Sequence, residues 1–232
     1  MTDTRPCVTH RDDFQFQYPL KWFKKALDQK RKIKVVALGS SSTAGADGIL
    51  PFPPRLEMCL RKRFFGQMID VVNRGISGQE APEELSRIEA DVIAEGPSLV
   101  IWQVGTNAVY KNYNPDEVRA TLAVGLDVLA PLEMDVVLMD SQYTRAIVEP
   151  DDKLKLANII MPLISGVAAQ KGVNLFRRFA LMKRWVDDNI PLGALDDGAD
   201  AHLHTSEWAT SCVTQALCEV IIKRVETAEA DT

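Results

Sequence analysis

The sequence has 232 residues, 46% of them hydrophobic and 25% charged, with a formal net charge of −5. That balance is ordinary for a globular chain, and the length suits one α/β domain, which excludes fibrous, low-complexity and disulfide-stapled miniprotein classes. An acidic surface without a nucleic-acid motif excludes nucleic acid as the expected partner, and the lack of any eighteen-residue apolar run excludes an integral membrane segment.

Residues 1–32 read as a polar leader ending in a basic helix, LKWFKKALDQKRKIK, where Trp22, Phe23 and Leu27 share one side. Such a helix either packs its aromatics on the domain or lies on an anionic surface, and packing is the simpler expectation. No signal-peptide-like apolar run occurs in this segment, so a cytoplasmic protein is expected. Residues 33–232 then read as one domain. Strands are predicted at IKVVAL (33–38), MIDVVN (68–73), SLVIWQV (98–104), MDVVLMD (134–140) and GVNLF (172–176). Helical spacing fills the intervals at 53–65, 81–95, 114–130 and 151–172, with Pro54, Pro82 and Pro115 in first turns, where a missing N–H costs nothing. A final helix follows Thr205 or Ser206 as cap, with Trp208, Cys212, Val213, Ala216, Val220 and Ile221 on one stripe. Near-continuous apolar strands alternating with helices predict a three-layer α/β/α sandwich around a parallel sheet of about five strands. Cys7, Cys59, Cys212 and Cys218 show no C-x-x-C spacing and are expected as free thiols.

In such a sheet chemistry gathers beyond the carboxyl ends of the strands. There lie GSSSTAG, RGISGQ, GTN and DSQY, after the first four runs in turn. GSSSTAG is open to three readings: a polar turn, a phosphate cradle or a nucleophile turn. A phosphate loop needs four residues between its glycines followed by Lys, whereas Gly39 and Gly45 enclose five and Ala46 follows. A nucleophile turn needs a base and oxyanion donors nearby.

Gly39-Ser-Ser-Ser-Thr-Ala-Gly45, Asn73-Arg-Gly-Ile-Ser-Gly-Gln79, Gly105-Thr-Asn107 and Leu203-His204 fall in the order of the four signature blocks of the SGNH (GDSL-like) hydrolases. The sequence resembles that family over residues 33–222. The resemblance implies a flavodoxin-like SGNH fold and a serine esterase or deacylase that needs no cofactor and no metal. It assigns Ser41 as nucleophile, with Ser40 in place of the customary aspartate. The Ser41 and Gly78 N–H groups and the Asn107 amide become oxyanion donors, and His204 the base. It further implies a small-molecule or carbohydrate ester as substrate. A bacterial subgroup with GSSST at the nucleophile also has D-x-Q-Y and R-R-F-A-L-M blocks, met here at 140–143 and 177–182. Within it Gln142 and Tyr143 are candidate substrate contacts, the alternative for Tyr143 being a buried turn residue.

The orienting acid departs from the pattern. The family has Asp-x-x-His, but Ala201 stands three residues before His204. Asp200 is the first candidate, with Asp197 or a Ser–His dyad as alternatives. Two other functions stay open: a catalytically impaired domain that binds a carbohydrate or acylated ligand, and a metal-dependent hydrolase using His202 and His204.

Overall fold

Successive residues of a strand point to opposite faces, so the apolar runs must be covered on both sides. The computed structural model describes residues 5–29, 32–46, 48–199 and 201–230. Its five strands are β1 (Lys32–Gly39), β2 (Met68–Gly75), β3 (Leu99–Gln103), β4 (Asp135–Met139) and β5 (Asn174–Phe176). They form one sheet in the order β2-β1-β3-β4-β5, every neighbouring pair parallel. Between them run α1 (Lys21–Gln29), α2 (Ser41–Ala44), α3 (Phe52–Arg63), α4 (Ala81–Leu85), α5 (Thr106–Tyr110), α6 (Pro115–Leu129), α7 (Arg145–Val148), α8 (Asp151–Lys171), α9 (Arg178–Asp187) and α10 (Glu207–Ala230).

The pleat sorts the core into two clusters. Ile33, Val35, Ala37, Leu99, Ile101, Val137 and Met139 face α1, α3, α9 and α10. Val36, Leu38, Val100, Trp102, Val136 and Leu138 face α4, α5, α6 and α8. The predicted three-layer α/β/α sandwich is therefore the observed one. The order places β1 and β3 side by side although β2 lies between them in sequence, and ligands gather at such a switch point.

The leader is stitched to the domain. Phe14, Phe16 and Leu20 enter the first core cluster. The indole N–H groups of Trp185 and Trp208 donate to the carbonyls of Val8 and Arg5, at 2.7 and 3.1 Å. Helix α1 buries Phe23 and Leu27, as the packing expectation requires, while Trp22 takes the ammonium groups of Lys21 and Lys25 on its ring at 4.8 and 4.7 Å.

The expectation of four thiols is corrected at two positions. Cys59 on α3 and Cys218 on α10 form a disulfide across 159 residues of sequence, and Cys7 and Cys212 keep their thiols. Nothing local signals this pair, because its proximity is created by the packing of two helices distant in sequence. Thiol titration of the denatured protein should report two reactive groups without reductant and four after reduction; four before reduction would contradict the bridge.

Candidate active site

The turn bearing the candidate nucleophile begins where β1 stops. Thr43 and Ala44 both donate N–H bonds back to the Ser40 carbonyl, at 3.0 and 2.9 Å, which closes α2. Gln103, at the end of β3, organises the residues around it. Its Oε1 lies within 3.1–3.3 Å of the Ser40 N–H and of the hydroxyls of Ser40, Ser42 and Thr43. Ser41 points elsewhere: its Oγ lies 2.9 Å from His204 Nε2. β2 presses directly on this turn, because a Cβ on Gly75 would stand 2.1 Å from the Ala44 nitrogen. Only glycine permits that approach.

His204, the candidate base, arrives on the segment between α9 and α10. Asp196 and Thr205 form an antiparallel bridge, and the Asp197 N–H donates to the His204 carbonyl at 3.0 Å. Asp197 is thereby set opposite His204, and its Oδ2 comes to 3.7 Å from His204 Nδ1. The Asp197 side chain is 2% exposed, and its Oδ1 accepts the Ala199 N–H at 3.0 Å. Asp200, the first sequence candidate, lies outside the described residues.

A second set of contacts braces the same segment. Arg145 on α7 makes two bonds of 2.7 Å to Asp196 and approaches His202 Nδ1 at 2.9 Å. Burial works to raise the Asp196 carboxyl, but the Arg145 hydrogen bonds, the Gly198 N–H and the Arg145 charge outweigh it and hold the group below its ordinary value. His202 and His204 thus serve different partners, and a guanidinium stands beside His202. Gln142 is 0% exposed and donates to the Leu203 carbonyl, as does Thr144 at 3.0 Å. Gln142, a candidate substrate contact in the sequence, is buried here and its amide holds the residue next to His204. Tyr143 packs edge-on against Phe179 at 4.9 Å and contacts both core clusters, which fits the alternative of a packed turn residue.

The remaining loops meet beyond β2 and β3. Gly78 has φ of +82°, a conformation that glycine adopts without strain. Asn107 is buried and spends one amide N–H on the Gln79 carbonyl at 2.7 Å, leaving its second for another acceptor. Lys111 Nζ donates to the Gly78 carbonyl at 2.6 Å. Beneath this level Arg178, from the R-R-F-A-L-M block, donates to the Asp140 carbonyl at 3.0 Å and to Thr106 Oγ1 at 3.3 Å. Burial pushes the Asp140 carboxyl up to about 7, against the Phe179 N–H and the Arg178 charge, and pushes Arg178 down to about 10. Beside the Ser41–His204 pair is a hollow of only about 20 Å³, bordered by Ala46, Ile49, Pro51 and Thr210.

The model of the Non-GDSL lipase-like family matches residues 6–227. The chain belongs to that family. A curated acetylxylan esterase from Geobacillus stearothermophilus is 35% identical over 85 residues, 32% of this chain and 39% of that protein. The match therefore spans about two fifths of that relative's length. The solved structure of Axe2, an acetylxylan esterase from the same organism, superposes with a TM-score of 0.68 at 22% identity, covering 82% of this chain and 94% of the other. LAE5, an α/β hydrolase from the metagenome of Lake Arreo, superposes at 0.69 with 20% identity over the same shares. Both likenesses establish the fold. Variants of Axe2 described as catalytic mutants replace a serine, an aspartate and a histidine with alanine.

Several residues around this Non-GDSL lipase-like site were not singled out by sequence reasoning. Arg145 and Asp196 gave no local signal. Gln103 was visible within I-W-Q-V-G-T-N but read as the end of a strand. Replacing Gln103 with Leu would leave the donors of residues 40–43 without their acceptor, so urea denaturation should show a loss of roughly 1–3 kcal/mol. Unchanged stability would mean that those groups find other partners.

Proposed function

We propose that this chain is a serine ester hydrolase that removes small acyl groups, acetyl foremost, from a carbohydrate or other small alcohol. The observation that carries the reading is the 2.9 Å approach of His204 Nε2 to Ser41 Oγ, with the Asp197 carboxylate on the other side of the imidazole. In this reading His204 takes the Ser41 proton as Oγ attacks the acyl carbon. The oxyanion forms against the N–H groups of Ser41 and Gly78 and the free N–H of Asn107. Collapse of the tetrahedral intermediate expels the alcohol, which receives its proton from His204, and an acyl-enzyme is left on Ser41. Water then attacks the acyl carbon, giving its proton to His204, and the released carboxylic acid restores Ser41.

Asp197 takes the orienting role in place of the family's acid three residues before the histidine. The 3.7 Å separation is within the looser range of a site without substrate. The impaired-domain alternative draws on Ala201, and an acid arriving across the 196–205 bridge supports the active reading over it. The acetylxylan esterase likeness supports an O-acetylated carbohydrate as substrate class. The small hollow beside Ser41 supports a short acyl chain over a long one.

With p-nitrophenyl acetate, Ser41→Ala and His204→Ala should each remove turnover by at least about 10³-fold. Asp197→Asn should cost about 10²- to 10⁴-fold, and Asp200→Asn less than about threefold. Undiminished activity in Ser41→Ala would overturn the reading, and a larger loss at Asp200 than at Asp197 would move the acid. In a series of p-nitrophenyl esters, kcat/KM should fall at least about tenfold from acetyl to butyryl, because the hollow beside Ser41 is small. Equal or greater efficiency towards butyryl would refute the small-acyl assignment.

A further inference from the structure

Glu80 stands two residues after Gly78 and is 1% exposed. Its Oε1 accepts the N–H of Gly105 at 2.9 Å and that of Ala81 at 3.1 Å, and its Oε2 accepts the N–H of Ala108 at 2.7 Å. Gly105 and Ala108 flank Asn107. One carboxylate on the Gly78 loop therefore holds the backbone on both sides of Asn107, and Asn107 closes the circuit through its amide bond to the Gln79 carbonyl. The backbone N–H of Glu80 is itself held, at 3.0 Å from Glu83 Oε2.

This is an expensive way to join two loops. A buried carboxylate is stabilised only when nearly all its acceptor capacity is filled, and an apolar side chain of similar volume fills the same space at lower cost. A second carboxyl, Glu84, is buried nearby and takes only the Trp102 indole N–H, at 2.7 Å. Burial raises both groups, and the charge of Glu80 raises Glu84 further; with three amide N–H groups against one indole, the negative charge of the pair rests on Glu80. What the carboxylate does that an apolar residue cannot is fix the amide frame around Asn107 to the loop bearing Gly78.

We propose that Glu80 is a positioning residue of the oxyanion hole, setting the separation of the Gly78 N–H from the Asn107 amide. The inference rests on the serine-hydrolase reading. Glu80 touches no substrate; it acts through two donors whose use comes only when negative charge develops on the acyl oxygen. Its removal therefore lowers kcat and leaves KM nearly unchanged. Its capping of α4 through Ala81 is a separate contribution, to stability.

The experiment is a double-mutant cycle on the full chain with p-nitrophenyl acetate. Wild-type activity and its loss in Ser41→Ala are measured first, and failure there removes the hydrolase reading before Glu80 is tested. Asn107→Ala should then lower kcat by about 10²- to 10³-fold. Glu80→Gln should lower it by about 10- to 100-fold with KM within about twofold, and should add no more than about threefold in the Asn107→Ala background. Glu80→Asp, which keeps the charge but shortens its reach, provides a second variant with an intermediate loss. A cap or packing role moves the melting temperature without this coupling. The proposal is overturned if folded Glu80→Gln keeps kcat within about threefold of wild type, if its effect multiplies fully with that of Asn107→Ala, or if neither Glu80 variant folds.

Discussion

One carbonyl oxygen, Gln103 Oε1, sets the arrangement on which the rest of the site depends. It stands at the carboxyl end of β3, beside β1, and gathers one amide and three hydroxyls from the turn that follows β1. A turn so rich in hydroxyls could adopt many local hydrogen-bonding patterns, each orienting Ser41 differently. Tying Ser40, Ser42 and Thr43 to a single acceptor on a central strand removes that freedom. Ser41 is the hydroxyl of the run left to face His204. The parallel pairing of β1 with β3 is thus both a packing relation and the alignment of the proposed nucleophile.

Parts of the fold and site that follow local rules were legible in the sequence. The five apolar runs became the five strands because burial on both faces requires unbroken Val, Ile and Leu, and the parallel order followed from the helices between them. The blocks around Ser41, Gly78, Asn107 and His204 sit on the loops where that order delivers them. What stayed hidden depends on contacts between distant segments. Asp197, an alternative to Asp200 in the sequence, meets His204 across an antiparallel bridge, so counting residues along the chain does not rank it first. Cys59 and Cys218 pair because α3 and α10 pack. Helix α9 was readable in hindsight: Phe179, Met182, Trp185 and Val186 recur at helical spacing, though the stretch was read as a motif.

The segment carrying Asp197 and His204 has little regular structure of its own, and its stability comes from side chains on other elements. Arg145 grips Asp196 with both ends of its fork, Gln142 and Thr144 hold the Leu203 carbonyl, and Ser206 donates to the Ala194 carbonyl at 2.7 Å. Gln142 and Thr144, on the loop after β4, and Arg145, the first residue of α7, are spent on this bracing. That explains why the D-S-Q-Y block lies at a strand end without opening to solvent. It also separates two buried acids of adjacent number, Asp196 held by a cation and Asp197 facing an imidazole.

The disulfide between Cys59 and Cys218 divides the chain into a covalent ring and two tails. The ring encloses β2, β3, β4 and β5. The leader, β1 and the nucleophile turn belong to the amino-terminal tail, yet β1 lies between β2 and β3 in the sheet. Once the bridge has formed, the strand that delivers Ser41 has to take its place between two strands of a closed loop, pairing with both. Assembly of the sheet interior and alignment of the serine then become a single event, and a ring closed without β1 holds the base segment and no nucleophile.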